Sequence, residues 1–128
     1  MDESVPIELR DKHLLIVEDE YLVASDLAFW FEDLGAKVIG PAESVARALD
    51  LVAENGASID AAILDINLHG VFVFSVADAL AERGVPFIFA TGYDGSIIPN
   101  AYAKIPRFEK PISKMQLARD LSAILAKL

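Results

Sequence analysis

The sequence predicts an α/β fold, a doubly wound five-stranded parallel sheet with helices on both faces. Short apolar runs of strand length alternate five times with segments of helical periodicity. This alternation is typical of parallel strands joined by right-handed crossovers. The first and third runs end abruptly in acidic residues. Five such strands favour the flavodoxin-like order 2-1-3-4-5, which places the ends of strands one and three side by side.

The length and composition of the chain limit the classes of function. With 128 residues it is the length of one domain, 1–128, with a core over about 12–128. It has no cysteine, which excludes thiol catalysis, zinc–cysteine sites and iron–sulfur clusters. A net charge of −9 without a basic cluster disfavours direct binding to nucleic acid or to an anionic membrane. No apolar run approaches the ~18 residues of a membrane span, and the acidic start is unlike a signal peptide. We therefore expect a cytoplasmic protein.

The first half of the chain contains two strands and two helices of the predicted sheet. The apolar run 13–17 is the first strand, and residues 37–40 form the second, which Pro41 is expected to end. Gly35 stops the helix between them. Ser44 is the expected N-cap of the second helix. The apolar positions at helical spacing in the first helix are Leu22, Val23, Leu27, Phe31 and Leu34.

The second half continues the alternation, with one weak segment. The central strand over 60–65 ends in Asp65, and a helix over about 73–82 and a strand over 85–90 follow. Residues 93–105 have a diffuse apolar pattern, which predicts an irregular or shortened fourth helix.

The fifth strand and the last helix complete the predicted fold. Residues 107–109 form this short strand, and Ser113 is expected to cap the helix that follows. The apolar stripe of the last helix comprises Leu117, Leu121, Ile124, Leu125 and Leu128.

Three carboxylates are predicted to converge where strands one and three end. Glu18, Asp19 and Asp65 would repel one another, and a divalent cation such as Mg²⁺ (or Mn²⁺) resolves that conflict. Asp19 and Asp65 are the expected direct ligands, with Glu18 acting through water and the backbone carbonyl of Asn67 completing the set. The alternative is that these acids merely favour the start of a helix, and we expect Glu20 to do only that.

Polar residues also follow the fourth and fifth strands. Thr91 is a hydroxyl donor and Lys110 is a cation before a proline. A carboxylate that attacks a phosphoryl group needs neutralised charge on the transferring oxygens, which a metal, a lysine and a hydroxyl supply together. Each residue alone has an ordinary alternative, turn chemistry for Thr91 and a solvated side chain for Lys110. The combination predicts a phosphoryl pocket around Asp65.

These residues resemble the receiver domain of two-component response regulators over nearly the whole chain. The likeness implies that Asp65 accepts a phosphoryl group from the phosphohistidine of a sensor histidine kinase or a histidine phosphotransfer protein, in a Mg²⁺-dependent step. It also implies that Thr91 follows the phosphate, and that the chemistry is autocatalytic, so the protein is not an enzyme acting on a separate metabolite. The residues that carry it are Glu18, Asp19, Asp65, Thr91, Lys110 and Pro111.

The segment 86–94 carries a more specific resemblance. It reads Pro-Phe-Ile-Phe-Ala-Thr-Gly-Tyr-Asp. It resembles the Phe-Ala-Thr-Gly-Tyr signature of single-domain regulators of alphaproteobacteria that are linked to general stress signalling. The resemblance implies a single receiver domain without an output domain, which signals to a downstream protein by contact or by phosphorelay. We expect a monomer.

Two positions depart from the pattern of typical receivers. Arg107 stands where they carry an aromatic residue, and Phe108 lies next to it on the opposite face of a regular strand. Our hypothesis is that Tyr93 or Phe108 reports the state of Thr91 instead. His69 stands where many receivers have proline, and it is predicted to be a loop residue.

Two other functions remain open at this stage. One is a phosphorylation-independent interaction domain that keeps the receiver fold. The other is a phosphohydrolase or a metal-dependent nucleic-acid enzyme with an Asp-x-Asp site. Asn67 stands two residues after Asp65, so the second acid of such a site is missing.

Overall fold

The computed structural model of the protein describes residues 9–92 and 98–126. Within these ranges it contains seven strands and four α-helices. In chain order they are β1 (His13–Val17), α1 (Tyr21–Asp33), β2 (Lys37–Ala42), α2 (Val45–Asn55), β3 (Ala61–Leu64), β4 (Asn67–Leu68), β5 (Val71–Phe72), α3 (Phe74–Glu82), β6 (Phe87–Thr91), β7 (Arg107–Glu109) and α4 (Lys114–Ala126).

Five of these strands form one parallel sheet in the order β2-β1-β3-β6-β7. Because β6 and β7 are the fourth and fifth strands of this sheet, the predicted order 2-1-3-4-5 is confirmed. The central strand β3 is flanked by β1 and β6, with Ala62 opposite Leu15 on one side and Phe87 on the other.

The strands are buried on both faces, and neighbouring residues belong to different apolar layers. Leu15 and Phe89 face the layer formed with α2 and α3. Ile16 and Ile88 face the layer formed with α1 and α4. This two-sided burial explains why the predicted strands are continuous apolar runs instead of alternating patterns. It also leaves the carboxyl ends of the strands as the place where polar residues emerge.

Capping residues begin two helices as the sequence predicts. The Oγ atom of Ser44 accepts a hydrogen bond from the backbone N–H of Arg47 at 3.1 Å. Ser113 does the same for the N–H of Gln116 at 3.3 Å. These bonds satisfy amide donors that the first turn of a helix leaves without an intrahelical partner.

The second strand is longer than predicted. It continues through Pro41 to Ala42, which pairs with Val17 after an irregularity in the register. The expectation that Pro41 ends the strand is wrong because β2 is an edge strand. Proline lacks an N–H, and an edge strand tolerates this when that side faces away from the sheet.

A small antiparallel hairpin, β4 and β5, replaces the loop predicted after Asp65. Asn67 pairs with Phe72 and Leu68 with Val71. The two turn residues, His69 and Gly70, have φ angles of 52° and 88°. Two successive residues with positive φ match the twist that a two-residue hairpin requires.

The connection between β6 and β7 is irregular in its described part. Its helical geometry there is limited to a 3₁₀ turn at Asn100–Tyr102, as the predicted irregular fourth helix leads us to expect. Residues 93–97 and Leu128, which the sequence places in this segment and in the last helix, lie outside the described residues. Within the described ranges, none of the helices has the length and hydropathy that crossing a membrane requires.

Candidate functional site

The carboxyl ends of two neighbouring strands bring the acidic residues together. Val17 and Leu64, the last residues of β1 and β3, are partners in the sheet register. The backbone N–H of Asp65 donates to the carbonyl oxygen of Val17 at 2.8 Å and extends the pairing by one residue. Glu18 and Asp19 leave β1 at the same edge. The topology therefore places three carboxylates at one switch point of the sheet.

These carboxylates are close to one another and largely buried. Glu18, Asp19 and Asp65 each offer an oxygen within 4.8 Å of the others. The side chain of Glu18 is only 3% exposed, that of Asp65 is 7% exposed and that of Asp19 is 15% exposed. The predicted convergence is confirmed.

Lys110 reaches this cluster from the far side of the sheet. Its Nζ atom lies 2.8 Å from Oε1 of Glu18 and 3.0 Å from Oδ2 of Asp65. Lys110 follows β7 directly, so its aliphatic chain extends over the end of β6 to reach Asp65. The ammonium group is thereby placed against the predicted phosphoacceptor, as the sequence leads us to expect.

Glu20 is a third partner of Lys110. Its Oε1 atom lies 3.3 Å from Nζ of Lys110. The prediction that Glu20 acts only at the start of a helix is wrong, because its side chain contacts the site. Glu20 does stand at the N-cap of α1, where its side chain makes no capping hydrogen bond.

Burial and the hydrogen bond between Lys110 and Glu18 shift the pKa values of these two residues in opposite directions. Loss of solvent raises the pKa of Glu18 to about 7, the hydrogen bond from Lys110 opposes this rise, and the charge of Asp65 adds to it. Burial lowers the pKa of Lys110, but its hydrogen bonds to Glu18 and Asp65 outweigh burial and raise that pKa above its usual range. Lys110 is therefore a fixed positive charge, while Glu18 retains a proton more readily than an ordinary glutamate does.

The hairpin supplies contacts to Asp19 that sequence reasoning missed. The backbone N–H of His69 donates to Oδ2 of Asp19 at 3.0 Å, and Nδ1 of His69 lies 3.5 Å from the same oxygen. Burial raises the pKa of Asp19, but the contacts with His69, together with a hydrogen bond from Glu18, outweigh burial and lower the pKa below its usual value. Asp19 is thus held as a carboxylate. No spacing in the sequence signals the contact, because it depends on the positive φ at His69.

Asn67 begins the hairpin directly beside Asp65. Its backbone N–H donates to Oδ1 of Asp65 at 3.4 Å, and its side-chain Oδ1 accepts a hydrogen bond from the N–H of Gly70 at 2.7 Å. These bonds fix the loop position from which the sequence predicts a carbonyl ligand. The role of that carbonyl stays a prediction.

The predicted switch residues are placed only in part. Thr91 is the last residue of β6 and pairs with Glu109, at the edge where the acidic site lies. The side chain of Thr91 and all of Tyr93 lie outside the described residues. Arg107 is exposed on β7, whereas Phe108 is half-buried against the layer of α1 and α4. The switch role of these residues stays a prediction.

Tyr102, in the connection between β6 and β7, makes contacts that sequence reasoning missed. Its ring packs against Phe87 and Phe89 on β6, with centroids 5.5 and 6.2 Å away, and its hydroxyl donates to Oδ1 of Asp78 on α3. Burial, together with Asp78, raises the pKa of Tyr102 to about 12. The weak helical pattern of this segment gave no signal for the contact, because the two partners are 24 residues apart.

The residues of the site suit a hard divalent cation. Glu18, Asp19 and Asp65 carry three carboxylates that one ammonium group, that of Lys110, does not balance. Mg²⁺ and Mn²⁺ bind carboxylate oxygens, and Mg²⁺ needs only one or two of them when water and phosphate oxygens complete its shell.

Comparisons with known proteins show close relatives among solved structures. No family model and no curated protein matches the chain. The chain is similar to SdrG from Sphingomonas melonis Fr1, with 40% identity over 91% of this chain and 98% of that one, at a TM-score of 0.75. It is similar to the PhyR response regulator REC domain from Erythrobacter litoralis, with 25% identity over 91% and 92% and a TM-score of 0.79. The receiver domain of the hybrid histidine kinase CckA is 26% identical to this chain; the match covers 88% of this chain and 98% of that one, at a TM-score of 0.74.

Proposed function

The chain belongs to the receiver domains of response regulators, and from this premise we propose that it is a signalling module phosphorylated on Asp65. The observation that carries the proposal is the position of Lys110, whose Nζ lies 3.0 Å from Oδ2 of Asp65 inside a cluster of carboxylates. A nucleophile, a fixed cation and a set of acidic metal ligands at one strand edge are the parts that phosphoryl transfer needs.

The transfer forms one bond and breaks another at phosphorus. A carboxylate oxygen of Asp65 attacks the phosphorus of a donor phosphohistidine, and the bond between phosphorus and the imidazole nitrogen breaks. The electron pair of that bond stays on the imidazole. Lys110 donates hydrogen bonds to the transferring oxygens, and Thr91 is the proposed hydroxyl donor. No second substrate is turned over, so the protein phosphorylates and dephosphorylates only itself.

The acidic residues would hold a divalent cation, Mg²⁺ or Mn²⁺. When bound, it neutralises negative charge on the phosphoryl oxygens as they transfer. Asp19 and Asp65 are the proposed direct ligands, with Glu18 bridged by water and the carbonyl of Asn67 as a further oxygen. The contacts from His69 support this role for Asp19, because they hold its side chain as a carboxylate at the rim of the site.

The output proposed for this receiver is protein contact or phosphorelay. A sensor histidine kinase or a histidine phosphotransfer protein donates the phosphoryl group, and a downstream protein reads the phosphorylated state. The motif within 86–94, which resembles the signature of single-domain regulators linked to general stress signalling, supports a place in that signalling. The switch would pass from Thr91 to Tyr93 or Phe108, since Arg107 replaces the usual aromatic residue.

Intact mass spectrometry after incubation with Mg²⁺ and acetyl phosphate tests the proposal. The wild type should gain one phosphoryl group, Asp65→Asn should gain none, and removal of the metal with EDTA should prevent the gain. Asp60→Asn is a matched control, because Asp60 precedes the other end of β3 and accepts a hydrogen bond from the N–H of His13. It should be labelled like the wild type. No gain under conditions that label another receiver would favour a phosphorylation-independent interaction domain.

A further inference from the structure

The ammonium group of Lys110 is shared among three carboxylates of unequal exposure. Glu18 and Asp65 contact Nζ at 2.8 and 3.0 Å from the buried side, and Glu20 contacts it at 3.3 Å from the solvent side. The side chain of Glu20 is 63% exposed, and that of Lys110 is 20% exposed. An ammonium group has three donors, so these partners occupy all of its hydrogen-bonding capacity.

The backbone and the side chain of Glu20 contact different residues. Its backbone N–H donates to Oε2 of Glu18 at 3.0 Å, which orients the buried carboxylate. The side chain makes no capping bond to α1. A substitution that keeps the shape of the side chain can therefore remove the charge without loosening Glu18 or the start of the helix.

A phosphoryl group that arrives at Asp65 needs a hydrogen bond from Lys110, but the three N–H donors of Lys110 already have partners. Of its partners, Glu20 is the one that water can solvate at once when the contact breaks, because its side chain is mostly exposed. Glu18 would be left as a buried charge, and the contact with Asp65 is the one that brings Lys110 to the reacting carboxylate. Because Glu20 contacts Lys110 and is mostly exposed, its negative charge would also repel an anionic donor that approaches Lys110.

We propose that Glu20 is a positioning residue that holds Lys110 in the unphosphorylated protein and competes with the incoming phosphoryl group for it. This inference rests on the proposed function of Asp65. Glu20 slows phosphorylation by repelling the donor and by occupying Lys110, and it releases Lys110 when the acyl phosphate forms. The charge pattern around Asp65 thus sets the rate at which the receiver is switched on.

The rate of labelling by acetyl phosphate in Mg²⁺ tests this role. In that reaction a carboxylate oxygen of Asp65 bonds to phosphorus, the bond from phosphorus to the acetyl oxygen breaks, and acetate leaves with the electron pair. Glu20→Gln should raise the rate constant about threefold at low salt, the scale of one unit charge several ångströms away in a watery site. The ratio of the Glu20→Gln rate constant to that of the wild type should fall towards one at about 0.5 M salt, because screening removes repulsion between exposed charges.

Two further variants separate the contact from net charge. Glu20→Asp keeps the charge and should stay closer to the wild-type rate than Glu20→Gln does. Glu43→Gln removes one charge from the rim of the cavity that Glu18 and Asp19 also line. It should change the rate much less than Glu20→Gln does, because within the described residues Glu43 is not a partner of Lys110.

The outcomes distinguish the two proposals. If the wild type is labelled and Glu20→Gln reacts at the same rate, the role of Glu20 is refuted and the phosphoacceptor stands. An equal increase in Glu43→Gln would also overturn it, since any nearby charge would then suffice. An increase that persists unchanged at high salt would contradict the electrostatic cause. If the wild type is not labelled at all, both proposals fail.

Discussion

The Nζ atom of Lys110 lies 2.8 Å from Oε1 of Glu18, a carboxylate that is almost fully buried. This ion pair connects β7 with β1 across the ends of two intervening strands. A buried pair contributes little net stability, because both charges lose water, but breaking it leaves an uncompensated charge. Lys110 therefore matters for folding as well as for the proposed chemistry.

Replacing Lys110 should destabilise the protein in a pH-dependent way. Lys110→Met leaves Glu18 and Asp65 buried without their cation, and we expect a loss of about 3 kcal/mol in the free energy of unfolding at pH 8. The loss should be smaller at pH 5, where a proton on one carboxyl group relieves the repulsion. Urea denaturation at both values measures it.

Lys114→Met is the matched control for that prediction. Lys114 forms an ion pair of the same length, 2.8 Å, with the exposed Asp26 on α1. Exposed pairs contribute about 0–1 kcal/mol, so this variant should lose little at either pH. Equal losses in the two variants would show that the burial of Glu18 has no special cost.

The stability of the metal-free protein should fall as the pH rises through neutrality. The folded pKa of Glu18, about 7, lies above its ordinary value of 4.5, because burial disfavours the charged form. The folded state therefore holds this proton more tightly than the unfolded state does. The stability that the proton contributes is complete below pH 4.5 and is lost as the pH rises through about 7.

Denaturation in EDTA between pH 5 and pH 8 measures this effect. We expect the free energy of unfolding to decrease by an amount on the order of 3 kcal/mol over this pH range, which is the equivalent of the shift in the pKa of Glu18. Glu18→Gln should flatten the decrease, and Glu54→Gln, at an exposed position on α2, should not. A wild-type profile that is flat or rises over this range would contradict the assignment.

Mg²⁺ should stabilise the folded protein through Asp19 and Asp65. A ligand that binds only the folded state adds about 2.7 kcal/mol at a concentration one hundred times its Kd. The Tm should rise with Mg²⁺ in the wild type and should respond much less in Asp19→Asn. Asp26→Asn removes an exposed carboxylate of α1 and should keep the full response. The same response in both variants would exclude Asp19 as a ligand.

The hairpin beside Asp65 depends on Gly70. The φ angle of Gly70 is +88°, and an added Cβ would meet no atom of the described part of the chain within 4 Å, so backbone strain is what opposes a side chain there. Gly70→Ala should cost about 1–2 kcal/mol. In Gly92→Ala the added Cβ would likewise meet none of the described residues within 4 Å, but at a position without a positive φ. It should cost less, and thermal denaturation of both variants decides whether the turn geometry carries the difference.

The strand order and the acidic cluster could be predicted from the sequence, whereas the contacts made by loops could not. Buried parallel strands are continuous apolar runs, and the residue after each run must lie at one edge, as Asp65 does. The strands of the hairpin have two residues each, too few for any periodicity to show. The contact of Glu20 with Lys110 joins residues 90 positions apart, and it depends on side-chain conformations that no spacing encodes.

Tyr102 should stabilise the connection between β6 and β7 through the hydrogen bond from its hydroxyl to Asp78. Burial and the hydrogen bond to Asp78 raise its pKa from 10.0 to about 12, so the folded state keeps the phenol proton over a range in which the unfolded state loses it. The stability that this proton contributes is fully present below pH 10 and is lost as the pH rises through about 12.

Tyr102→Phe should lower the free energy of unfolding by about 1 kcal/mol at pH 8. Its stability should also decline less than that of the wild type between pH 9 and pH 11. Tyr21→Phe, at a position that is exposed on α1, should behave like the wild type, and parallel declines for all three proteins would place the Tyr102 hydroxyl in water instead of against Asp78.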